Sequence, residues 1–101
     1  MSRPRVTRGW PLEAFVGDRV VCILEGEHLD QVDSITVEPM GKGILITIGD
    51  PHGQLPDPPP QSDQALTVTF EIQPTTYPGE KRILLHSQAG CSDPLPFLIM
   101  M

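Results

Sequence analysis

The chain contains no asparagine, so it offers no acceptor for N-glycosylation and no partner for a Lys–Asn isopeptide bond. Aromatic residues are scarce at 5%, which leaves little from which to build the ring platforms that sugar sites usually present. Basic residues are also few: seven Lys and Arg against thirteen Asp and Glu give a net charge of −6. A phosphate-binding surface needs clustered cations, so this balance argues against nucleic acid. No apolar run approaches the ~20 residues that span a bilayer, which argues against membrane insertion. No apolar stretch follows the N-terminal arginines, so the signal-peptide pattern is missing as well. The reading is cytoplasmic or virion-bound if the chain is complete, and extracellular or cell-surface if it is a domain excised from a larger protein.

Sustained helical periodicity is a further absence. Twelve prolines and nine glycines among 101 residues cut the chain into short segments, and no window holds a 3.6-residue period. No helix is expected. What remains is alternation of period two in "RVVCILEG" (19–26), "DSITVEP" (33–39), "GILITIGD" (43–50), "ALTVTFEI" (65–72), "KRILLHS" (81–87) and "LPFLIMM" (95–101). Such segments, rich in β-branched residues and bounded by Gly and Pro, predict an all-β antiparallel sandwich. Val20, Cys22, Leu24, Ile35, Val37, Ile46, Leu66, Val68, Phe70, Ile83, Leu85, Phe97 and Ile99 form the expected core, and Trp10 is expected to plug it.

The turn residues carry a resemblance. Gly17-Asp18 precedes the first strong strand, Gly26-Glu27-His28-Leu29 follows it, Pro78-Gly79 opens the "KRILLHS" segment, and Gly90-Cys91-Ser92 leads to Phe97. Over about residues 15 to 99 the sequence resembles an IPT/TIG-type immunoglobulin-like domain. The resemblance implies an immunoglobulin-like antiparallel β-sandwich of about seven strands. It also implies a role as a binding, spacer or dimerisation module without catalytic residues. Two positions depart from that pattern. His28 stands where asparagine is usual, and Val21 and Ile23 occupy an outward side that is usually threonine-like.

Two segments stand apart from the alternation. Residues 1–10 form a basic N-terminal arm or linker ahead of the 11–101 domain. Arg3, Arg5 and Arg8 meet no acid in the first eight residues, leaving four cations against thirteen acids, a net of −9, in the rest. This arm can dock on its own domain or on a neighbouring copy, or remain a solvated tail. Residues 49–64, "GDPHGQLPDPPPQSDQ", carry five prolines and no β-branched residue. The "PDPPP" stretch predicts an extended, exposed rod, serving either as a recognition loop or as a tolerated insertion.

Catalytic and cofactor chemistry is not in view. His28, His52 and His86 lack the short spacing of a metal site, and no serine has the sequence of a nucleophile elbow. Glu25, Glu27, Asp30 and Asp33 cluster without a calcium-loop pattern and read as a solvated acidic edge. Cys22 in mid-strand and Cys91 in a turn are expected to be two buried or half-buried thiols, not a disulfide.

The outward residues carry the functional expectation. If "GILITI" lies beside the last two strands, as strand C′ of the sandwich, Leu45, Leu84, Leu98 and Met100 share one exposed face with His86. Val21 and Ile23 remain as an apolar pair on the other sheet, covered by the first strand or by the arm. So large an apolar face is more than a monomer usually leaves in water. The expected function is therefore a non-enzymatic module for protein–protein assembly, with its own copies or with neighbouring domains. The interface is assigned to Val21, Ile23, Leu45, Leu84, His86, Leu98, Met100, Arg3, Arg5 and Arg8, with no cofactor. The alternatives are a carbohydrate- or surface-binding module using the 49–64 loop, or a complete small structural protein such as a virion decoration subunit.

Overall fold

Alternation turns into strands wherever it is cleanest. A computed structural model of the chain describes residues 3–38 and 43–101. Its nine strands are β1 (Arg5–Trp10), β2 (Glu13–Phe15), β3 (Arg19–Glu27), β4 (Ser34–Glu38), β5 (Ile44–Ile48), β6 (Ala65–Ile72), β7 (Gly79–Ser87), β8 (Gly90–Cys91) and β9 (Leu95–Met100). The six expected strands are all present. Pro39, the last residue expected in the second of them, lies outside the described residues. A 3-10 turn at Leu29–Gln31 is the one helical element among the described residues.

The strands form two sheets ordered β1-β3-β6-β5 and β2-β9-β7-β4, with β8 pairing β7. This is the strand order of an immunoglobulin-like sandwich, with β1 and β2 as two halves of its first strand. The chain crosses between sheets at the cis Trp10–Pro11 bond. β2 then runs parallel to β9, while the other pairings are antiparallel. This division and the two-residue β8 account for nine strands among the described residues where about seven were expected.

Cys22, Leu24, Leu66, Val68, Phe70, Ile83, Leu85, Phe97 and Ile99 are buried, and the rings of Phe70 and Phe97 pack with centroids 4.9 Å apart and planes tilted by 35°. Val20, Ile35, Val37 and Ile46 are half-buried against this core. The last three belong to β4 and β5, the edge strands on one side of the sandwich, where a slot of about 340 Å³ lined by Ile35, Thr36, Val37, Ile44 and Ile46 opens. Ala14, Leu29, Val32 and Ile72 complete the core. Ser92 is buried at the last turn, where its hydroxyl accepts from the Leu85 amide at 3.0 Å and donates to the Asp93 carbonyl. That bond fixes the entry to β9.

Two expectations are corrected by this topology. Residues 5–10 are not an arm but strand β1, paired along β3. The pairing is close: a Cβ on Gly26 would lie 1.9 Å from the Arg5 carbonyl oxygen, so only glycine fits there. Trp10 is not a core plug. It is 41% exposed on the outer face of the first sheet, with the Arg8 guanidinium 4.8 Å above its ring.

Candidate functional site

The two outer faces of the sandwich differ in what lies over them. On the β1-β3-β6-β5 sheet the outward residues include Val21, Thr67 and Thr69, yet each is buried, Thr69 to 1% exposure. The Pro-rich 49–64 segment is the cover. Gly49 continues the β5 ladder, donating its amide to the Thr67 carbonyl. The segment then runs down the sheet, where Gln54 Nε2 donates to the Arg19 carbonyl and His52 Nε2 lies 3.1 Å from Glu71 Oε1. It returns past Thr67, whose hydroxyl donates to the Pro59 carbonyl at 3.3 Å. Gln61 closes the path, its Nε2 facing the carbonyls of Leu29, Asp30 and Val32 at 3.0, 3.3 and 3.1 Å. The segment is thus a strap laid on its own sheet.

The strap also makes its own turn. Asp50 accepts from the amides of Leu55 at 2.8 Å and Gln54 at 3.0 Å. These bonds, that from Leu55 foremost, together with the nearby His52 hold its carboxyl below the ordinary aspartate range. Val21, opposite Thr69 in the ladder, is itself buried, and the interface role expected of it is withdrawn. Ile23 is half-buried beside Trp10, its ladder neighbour on β1.

The β2-β9-β7-β4 sheet has no such cover among the described residues. Phe15 is 50% exposed and Leu98 42% exposed, with half-buried Met100 on the same face. The register fixes their neighbours: Phe15 lies opposite Met100, and Leu98 lies between Glu13 on β2 and Glu80 on β7. Leu84 and His86 share this face, but their partners are Thr36 and Ser34 on β4. The row Glu38–Arg82–Pro96 separates Leu84 from Leu98. His86 Nε2 lies 2.7 Å from the Thr36 hydroxyl and pairs across the ladder with exposed Cys91.

Leu45 is corrected outright. β5 pairs with β6 and so belongs to the opposite sheet, where Leu45 is 59% exposed beside Glu71. No strand C′ flanks β7 among the described residues. The arginines dock on their own domain: Arg3 lies 3.4 Å from Asp93, Arg8 lies 3.6 Å from Glu25, and Arg5 stands opposite Glu27 in the ladder. Phe15 escaped the sequence reading because a three-residue strand shows no alternation; Gly17-Asp18 just beyond it was the available signal.

Other polar groups gather without forming a ligand set. Arg3, Arg5, Glu27, His28 and Asp93 line a pocket of about 220 Å³ that mixes both charges. His28 adopts φ 59°, and its Nδ1 lies 3.6 Å from an Asp63 carboxylate oxygen. Among the described residues no three His, Cys, Asp or Glu side chains are placed to hold a metal ion. Both cysteines are free thiols, Cys22 buried and Cys91 exposed, so the expectation of a half-buried Cys91 is corrected. Burial pushes the Cys22 thiol up to about 12, against a smaller lowering by a backbone hydrogen bond from Trp10. A scan against protein-family models matches none, and a search of curated proteins returns no match.

Proposed function

We propose that this protein is a non-catalytic immunoglobulin-like module, of the IPT/TIG type that its turn residues resemble, and that it mediates protein–protein assembly. The contact surface is the outer face of β2 and β9, centred on Phe15, Leu98 and Met100. One contrast carries the reading. The strap covers the central strands of one outer face and leaves Trp10 and Leu45 exposed apart from each other on its two edge strands, whereas the other face brings Phe15 and Leu98, each about half exposed, together on adjacent strands. Contiguous large apolar side chains in water are what partner surfaces present. An aromatic ring on a rigid strand is also a typical energetic centre of such contacts.

The test is selection of ligands from a displayed random-peptide library on the immobilised chain. Ligands recovered on the intact protein should be lost by the Phe15→Ser/Leu98→Ser variant, whose melting temperature should stay close to the parent's. Ligands that bind this variant unchanged would place the contact elsewhere and defeat the assignment.

A further inference from the structure

Resting on that reading, we infer that the occupant of the β2–β9 face is a protein surface with an apolar centre and a rim of Lys or Arg, not a second copy of this chain. The register supplies the argument. Leu98 lies between Glu13 and Glu80, both directly opposite it and both exposed. Neither acid makes an ion pair among the described residues. Directly paired residues of neighbouring strands point to the same side of a sheet, so the two carboxylates border the apolar centre. Arg82, the nearest cation on this face of β7, lies opposite Glu38 and is one row removed from Leu98.

The two charges directly flanking Leu98 are of one sign, and such a pair selects against its own image. Two copies meeting face to face would bring four carboxylates around two leucines, and like charges so placed disfavour the contact. Each copy also carries −6 overall. An anionic lipid surface or a nucleic acid is disfavoured on the same ground. A basic rim meets both acids while its apolar centre covers Phe15 and Leu98. The acids then set specificity and the apolar residues supply most of the affinity.

Two capped synthetic peptides of equal length test this, one alternating Leu and Lys and the other Leu and Glu, each titrated into the isotopically labelled full chain and followed by amide shifts. The Lys peptide should shift the amides of Glu13, Phe15, Glu80 and Leu98. Its affinity should fall about tenfold in Glu13→Gln/Glu80→Gln, since each exposed charge contributes roughly two- to fivefold. Asp57→Asn in the strap is the control for general attraction to an acidic chain and should change nothing. Equal binding of both peptides on this face, lost in Phe15→Ser/Leu98→Ser, would keep the docking face and overturn the basic occupant. Sedimentation showing a dimer that Leu98→Ser dissociates would do the same by naming a second copy. Shifts confined to other surfaces, or weakening by Asp57→Asn equal to that of the double variant, would overturn both readings.

Discussion

Thr69 donates its side-chain hydroxyl to the Gly49 carbonyl over 2.7 Å, from the middle of β6 to the residue where the strap begins. An outward threonine on a central strand would ordinarily face water. Here it is consumed by the chain's own covering segment, so its hydrogen bond is made within the fold.

The strap hangs on few groups, and Gln61 is the most exposed to test. Its two amide N–H groups are shared among three carbonyls around the 3-10 turn, which Gln61→Ala would leave to water or unpaired. The expected cost is about 1–2 kcal/mol in urea melts. Amide exchange should rise first in residues 50–64, as expected of a unit that opens below the global free energy. Uniform acceleration across β6 and β7 would show that strap and sandwich open together.

Acid should loosen the same segment. Asp50 has a depressed pKa in the folded chain, because its carboxylate accepts amides that the unfolded chain does not align. Its contribution is therefore present above the ordinary aspartate value of 3.8 and is lost as pH falls through the lower folded value. The Leu55 amide resonance should titrate below that ordinary value. In Asp50→Asn this titration should vanish, and the protection of the strap amides relative to the unfolded chain should no longer change with pH in that window.

Gly26→Ala tests whether β1 belongs to the body. The new methyl would meet the Arg5 carbonyl oxygen at 1.9 Å, which forces β1 away from β3. Stability should drop by roughly 1–3 kcal/mol, the usual cost of overpacking. A protease should then cut before Trp10 in the variant but not in the parent. Unchanged stability with intact β1 amide protection would mean that the strand relaxes without detaching.

The thiols should separate by reactivity. Native chain at pH 8 should take up one equivalent of a thiol reagent, at exposed Cys91, and two after denaturation. Cys22 is fully buried, and with its thiol raised to about 12 it stays protonated. Its folded value lies above the ordinary 9.0, so its contribution to stability is complete below that value and declines as pH rises toward 12.

Alternation made the core legible: Leu66, Val68, Phe70 and Ile72 announce the inward face of β6 without further help. It could not say which sheet a strand joins, because period two assigns a face and not a neighbour. Leu45 was therefore placed beside β7 when β5 in fact pairs β6. The "RVTRGW" of β1 hides its strand character behind three charges or aromatics, and its bulge between Val6 and Arg8 breaks the period. The strap was visible as an anomaly of proline content. Its resting place was not, since the anchoring bonds run from Gln54, Pro59 and Gln61 to residues about 8 to 35 positions away. Of the candidate face, Leu98 and Met100 were legible, and Phe15 was not.

The parallel pairing of β2 with β9 has a mechanical meaning. Glu13, Ala14 and Phe15 run beside Leu98, Ile99 and Met100 in the same direction, with further bonds from the Leu98 amide to the Leu12 carbonyl and from the Val16 amide to the Met100 carbonyl. Tension drawn between Arg3 and Met101 meets the β1–β3 ladder first; from Leu12 onward it pulls β2 from its beginning and β9 from its end, so the load runs along these two strands and strains their rungs together. An antiparallel hairpin at that junction would peel open one rung at a time. The β2–β9 seam is thus loaded in shear, and the strap's anchors at Arg19, Thr67 and Thr69 lie on strands of the opposite sheet, apart from that seam.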